Sequence, residues 1–191
     1  MKRNLRQSLV AGLLSLLAAL ALAVPSGESR SATETYKQNE DGLAKEFDAF
    51  VKAYHKGDDA GMTEAFAVFK FPNANEWFAK HFSAEDAARV NAAYGQQVSD
   101  AMNSLIEDMN RAGAGNKYSV HCQARGDVPV GTEKAGSSAA VPVKAVRVEQ
   151  FVLEFQASST RQRFLFMANF VYEGGAYRFV GGGGGPFWAK M

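Results

Sequence analysis

Apolar positions along the chain repeat with a period near 3.6 as far as about Asn116 and with a period of 2 beyond it. Before that switch, Leu43, Phe47, Phe50, Val51 and Tyr54 share one helix face, with Asp41 as the expected N-cap and Gly57 as the stop. A shorter helix starting at Asp58 or Asp59 carries Met62, Phe66 and Phe69. Phe71-Pro72 closes it, because the residue before a proline is pushed out of the helical region. Trp77, Phe78 and Phe82 follow as an aromatic cluster on a brief helix or turn. Ser83, with an acid three residues on at Asp86, has the form of a capping box and opens the longest helix, Ala84 to Ala112. Its stripe of Val90, Tyr94, Val98, Met102, Leu105, Ile106 and Met109 reads as core rather than as an adaptable groove, and Gly113 and Gly115 end it.

After the switch, Tyr118, Val120, Cys122 and Ala124 alternate with polar residues, the pattern of a strand with one buried face. Residues 125–140, rich in Gly, Ser and Ala, read as a loop and as the part expected to move most. A second strand, Val143 to Gln156, changes phase: Val146 and Val148 point one way, Phe151, Leu153 and Phe155 the other. A bulge near Glu149 and Gln150 is expected to restore the phase. A third strand, Arg163 to Tyr172, turns through Glu173-Gly174-Gly175 into a fourth, Ala176 to Val180. Gly181 to Gly185 cannot pack through side chains, which leaves two outcomes for the tail: it frays, or Phe187 and Trp188 pin it.

The two ends of the chain change the picture of where this domain works. MKRNLRQS is basic, Leu9 to Val24 is apolar but for Gly12 and Ser15, and Ala21 to Ala23 has the small-x-small spacing of a cleavage site. Residues 1–23 therefore read as a signal peptide, the apolar run being short for a membrane span of about 20 residues. The expected product is secreted or periplasmic, with no membrane attachment after cleavage. Residues 24–40 are polar and unpatterned, a disordered leader, and residues 41–191 form one domain. Losing three of the 21 basic residues leaves 18 against 20 acidic ones, so there is no electrostatic footprint for nucleic acid. The single cysteine, Cys122, has no partner for an internal disulfide, and stability must come from packing.

Helices first and strands second, without βαβ alternation, predict an α+β fold with helices against one face of an antiparallel sheet of about four strands. AYHKGDDAGMTEAF, Ala53 to Phe66, resembles the end of the first helix and the start of the second in the nuclear-transport-factor-2-like superfamily. FVYEGGAYRFVGG, Phe170 to Gly182, is similar to its closing hairpin. The resemblance covers residues 42–188 by order of elements and departs from the common pattern in the length of the third long helix and in the loop at 125–140. It implies a cone-shaped domain with a cavity between helices and curved sheet, often dimeric through the outer sheet face. The superfamily includes isomerases, dehydratases and non-catalytic proteins, so fold alone selects no function.

Candidate chemistry is sparse. His55, His81 and His121 have no metal-ligand spacing, and no metal is expected. His121 and Cys122 point to opposite faces of one strand, and Cys122 reads as a small core residue. The glycine run lacks the lysine and helix of a phosphate cradle, and no cofactor is called for. The groups expected to reach a cavity are Trp77, Tyr94, Glu149, Gln150 and Asn169, each with a purely structural alternative: Trp77 as a plug, Tyr94 as core, Asn169 bonding a neighbouring strand. Both faces of the third strand are apolar, which calls for a second cover, either a homodimer partner on the sheet face or the C-terminal segment. Three readings follow: a non-catalytic binder of a small apolar ligand or envelope protein, an acid/base enzyme with a buried carboxylate, and a structural interaction module whose interior is filled by aromatics.

Overall fold

The computed structural model describes residues 35–113, 117–128, 130 and 139–190. The expected signal peptide and most of the expected leader, and residues 129 and 131–138 of the expected loop, lie outside them. The fold is α+β, four helices followed by an open, four-stranded antiparallel sheet.

Helix α1 spans Glu40–Lys56 and α2 spans Asp59–Ala67. Asn39, in extended backbone, caps α1 by accepting the Gly42 N–H at 2.9 Å, and Gly57 ends it in the left-handed region at φ 63. The cap is thus two residues earlier than Asp41, which instead sits in the first turn with Glu40, facing the positive end of the helix dipole. The ordered chain also starts earlier. The Tyr36 N–H donates to the Gly175 carbonyl at 2.8 Å, and the Tyr172 hydroxyl donates to the Tyr36 carbonyl, so residues 36–39 are fastened to the sheet rather than belonging to a leader. Helix α3 is Ala74–His81, and α4, Ala84–Gly113, starts where Ser83 accepts the Asp86 N–H at 3.2 Å.

The strands are β1, Tyr118–Val128; β2, Val148–Ala157; β3, Arg163–Glu173; and β4, Ala176–Gly182, in the order β1-β2-β3-β4. Two corrections to the sequence reading share one cause. Residues Arg125 to Val128 are strand, not loop, and the bulge lies on β1 between Ala124 and Gly126, opposite Gln150 and Phe151, whereas β2 runs unbroken from Val148. A bulge on β2 would disturb two ladders; on the edge strand β1 it disturbs one, and Gly126 supplies the positive φ of 106 that it needs. Residues 143–147 precede the strand.

A second irregularity makes Val180 the extra residue between the pairs Asn169↔Gly181 and Phe170↔Phe179. The glycine run after it turns tightly: at Gly181, φ 151, an added Cβ would lie 2.5 Å from the Gly185 carbonyl oxygen. That turn delivers a 3-10 segment, Phe187–Lys190, whose Phe187 and Trp188 are buried. The tail is pinned over the described length.

Helix α1 holds both free edges of the sheet. On β1, the Ala124 N–H donates to Glu40 Oε1 at 2.7 Å and the Tyr118 N–H donates to His55 Nε2 at 2.7 Å. On β4, the Tyr177 N–H donates to Glu46 Oε2 at 3.0 Å, and the next outward amide, Phe179 N–H, donates to the Phe69 carbonyl at 2.9 Å. Edge amides that would otherwise be open to pairing are thereby satisfied, and the sheet curls around the helix.

Candidate functional site

The inner face of the sheet carries Tyr118, Val120, Cys122 and Ala124 from β1, Phe151, Leu153 and Phe155 from β2, Phe164 to Phe170 at alternate positions from β3, and Tyr177 and Phe179 from β4. Phe47 of α1 enters this concavity. Its ring lies 4.3 Å from Phe69, 6.1 Å from Phe155 and 6.4 Å from Phe170, and Phe151 and Phe170 close on Tyr177 at 5.3 and 5.9 Å. Among the described residues, these side chains occupy the inner part of the hollow expected between helices and sheet.

Of the five residues singled out, two reach one cavity. Glu149 and Gln150 line a recess of about 290 Å³ at the mouth of the curl, with Gln38 to Glu40, the β1 bulge, Phe151 and Tyr177. Its carboxylates are engaged: Arg147 bridges Asp127 at 3.0 Å and Glu149 at 2.9 Å, Gln38 donates to Glu149 at 3.0 Å, and Glu40 accepts from β1. Trp77 borders a different recess of about 270 Å³ with Phe71, Pro72, Glu76, Lys80 and Glu173, and its ring stacks on Phe71 at 4.2 Å. Tyr94 and Asn169 are core. The Tyr94 hydroxyl accepts the Phe71 N–H at 3.0 Å and donates to the Phe69 carbonyl at 3.3 Å, a brace for the turn after α2. Burial, opposed by the Phe71 N–H and the field of Arg178, pushes the Tyr94 phenol well above its ordinary value. The Asn169 amide donates to the Gly181 and Gly182 carbonyls and accepts from Gln150 at 3.2 Å. Gln150 and Asn169 are therefore brought together, but to hold the glycine turn.

The most unusual group was passed over in the sequence. Glu46 is 1% exposed, Oε2 accepts the Tyr177 N–H, and Oε1 meets no donor among the described residues. Burial, opposed by the Tyr177 N–H and the field of Arg178, pushes its carboxyl up to about 8. The signal was present: Glu46 stands three residues after Leu43 and four before Phe50, inside the apolar stripe. Arg178, itself buried, donates from one guanidinium nitrogen to the carbonyls of Val68 and Lys70.

The histidines and the cysteine stay apart. His55 accepts from Tyr118 through Nε2, which requires the neutral ring, and burial with Lys117 nearby lowers its pKa accordingly. Cys122 faces inward, as expected, and His121 is exposed on the other face. Burial, with Glu40 and Asp41 adding to it, pushes the Cys122 thiol up to about 12 from 9.0. Three pH units mean about a thousandfold less thiolate at neutral pH than an exposed thiol carries. Iodoacetamide at pH 7.5 is expected to label Cys122 only when urea unfolds the chain; labelling of the native protein at the rate of a free cysteine would show the inward placement to be wrong.

Among the described residues no group of three or more His, Cys, Asp or Glu side chains is placed to hold a metal, and no helix is long and apolar enough to cross a membrane. In comparisons with known proteins, no family model, curated protein or solved structure matches the chain.

Proposed function

We propose that this chain is an exported, non-catalytic interaction domain of the nuclear-transport-factor-2-like kind, acting through the outer face of its sheet. One observation carries the reading: among the described residues aromatic side chains occupy the inner part of the concave side, while β3 presents Leu165 at 62% and Met167 at 42% exposure on the outer face. Leu165 and Met167 are two residues apart on a central strand, so they stand side by side, with Val152 opposite Met167. Glu154, paired with Arg163 at 3.3 Å, and His121 border them on the same face. An apolar centre with a rim of both charge signs is self-complementary under a two-fold axis, and the partner it fits is a second copy of this chain.

Light scattering on the purified protein is expected to give twice the mass of one chain, and the double variant L165E/M167E to give a folded monomer. A wild-type monomer at about 100 μM, well above the dissociation constant of a stable dimer, would sink the proposal. The recess beside Glu149 is the second place to look for a small ligand.

The acid/base enzyme reading has Glu46 in its favour, a buried carboxyl with a raised pKa of the kind proton-transfer sites use. Against it stands access. Glu46 is enclosed by α1 and β4 and lines neither of the two recesses.

A further inference from the structure

Three rings, Tyr54, His55 and Tyr118, meet at the corner where α1 and α4 end and β1 begins. His55, in the last turn of α1, accepts the N–H of Tyr118 on Nε2 at 2.7 Å, and the two rings stack with centroids 6.4 Å apart. Tyr118 is buried; its hydroxyl donates to the Met109 carbonyl at 2.6 Å and lies 3.2 Å from the Gly113 carbonyl, at the end of α4. Tyr54, 5.9 Å from the Tyr118 ring, donates to Asn110 Oδ1 at 2.8 Å. Further along the strand, Glu40 holds the Ala124 amide.

A neutral imidazole that accepts on Nε2 carries its proton on Nδ1 and has one lone pair to give. The Tyr118 N–H uses it. A second proton must take that same lone pair, and the imidazolium that results has N–H on both nitrogens and can only donate. The bond and the second proton therefore exclude one another by valence, with no rearrangement of neighbours required. His55 as a residue is exposed while the bond itself is partly buried, so water has a route to the ring. The hydroxyl bonds of Tyr54 and Tyr118 end on an amide oxygen and a backbone carbonyl, acceptors that take up no proton in mild acid.

We propose that His55 is an acid-released latch between α1 and β1: a proton from solvent on Nε2 ends the bond from the Tyr118 amide and leaves that edge amide open to water or to another strand. The opening is confined to this one amide. The Lys117 carbonyl still accepts the Ser158 N–H at 2.8 Å, and the Tyr118 hydroxyl still reaches α4. The charged group whose field acts on the ring is Lys117, just before β1; Lys56 follows it in the last turn of α1, Tyr54 and Tyr118 are its titratable ring neighbours, and α4 contributes the neutral Asn110 through Tyr54. Burial holds the Tyr54 phenol above its ordinary value, so it stays neutral in acid. Burial of the ring, with Lys117 adding to it, disfavours the imidazolium, so release occurs below the ordinary 6.5. The latch lies on the edge of β1 and does not depend on the sheet-face reading.

NMR on the full protein tests it. At pH 7.5 the ring nitrogens of His55 are expected to show the tautomer protonated on Nδ1; a proton on Nε2 overturns the latch. The protection factor of the Tyr118 amide is expected to fall about tenfold between pH 7.5 and pH 4.5 in wild type, a local opening. The Phe179 amide, which donates to the Phe69 carbonyl, is the reference and is expected to stay level. In His55→Gln, whose side-chain carbonyl accepts at either pH, Tyr118 protection is expected to stay level too. No fall in wild type, or an equal fall in His55→Gln, overturns the proposal. If His55→Gln does not fold, the wild type alone decides: the His55 ring and the Tyr118 amide must titrate with one midpoint, below 6.5, and two separate midpoints overturn it.

Discussion

Trp188→Ala is expected to lower the unfolding free energy by about 3 kcal/mol, toward the low end of the range for deleting a large buried aromatic side chain. The indole is fully buried, with ring centroids of Phe82 and Phe187 at 5.4 and 5.3 Å and Trp77 and Phe78 beyond them. The low end is appropriate because the indole Nε1 has no acceptor among the described residues, so its removal also relieves a buried donor. Trp188→Phe separates the two contributions: it keeps most of the packing, drops the donor, and should cost less than about 1.5 kcal/mol. Urea unfolding followed by circular dichroism reads both. A loss below about 0.5 kcal/mol, the size of a surface change, would mean that the C-terminal segment contributes nothing and frays.

The second large effect is a loss of stability as pH rises. The Glu46 carboxyl has a value of about 8 folded against 4.5 for the ordinary group. Between those limits the folded chain binds a proton that the unfolded chain has released, so unfolding free energy falls with pH. The slope reaches about 1.4 kcal/mol per pH unit. The stabilisation is complete below about 4.5, and roughly 5 kcal/mol is gone above about 8. His55 and His81 act in the opposite sense, because their lowered values favour the folded state as pH rises through the histidine range. Urea midpoints at a series of pH values isolate the carboxyl by difference: Glu46→Gln keeps the acceptor for the Tyr177 N–H, cannot ionise, and should be the more stable protein at pH 9. Parallel curves for the two proteins would remove Glu46 as the cause.

How much of this was legible in the sequence depends on which atoms do the holding. The helices and the final hairpin are written in side-chain periodicity, and Leu43, Phe47, Phe50 and Val51 show α1 directly. Arg125 to Val128 pair through their backbone while their side chains are mostly polar and exposed, so no alternation advertises them. The bulge was expected on the wrong strand because the disturbed phase around Glu149 and Gln150 is visible in the sequence, whereas the identity of the edge strand is not. Glu149 and Gln150 border a recess that Ala124 and Gly126 of the β1 bulge also line. Tyr94 and Asn169 were expected to face a cavity because polar groups in apolar surroundings suggest ligands; both instead bond backbone carbonyls of neighbouring segments. Glu46 shows the converse, a charge in the middle of an apolar stripe whose partner is a backbone amide 131 residues away.

The bonds from α1 to the two sheet edges span 63, 84 and 131 residues of chain. His55 and Glu40 of α1 thus wait for β1, and Glu46 waits for the last strand before it finds its amide. Assembly is expected to be late, slow and all-or-none, as for other topologies dominated by distant pairings. A nascent chain stalled before β4 would leave the Glu46 carboxyl inside the apolar stripe of α1 without its amide.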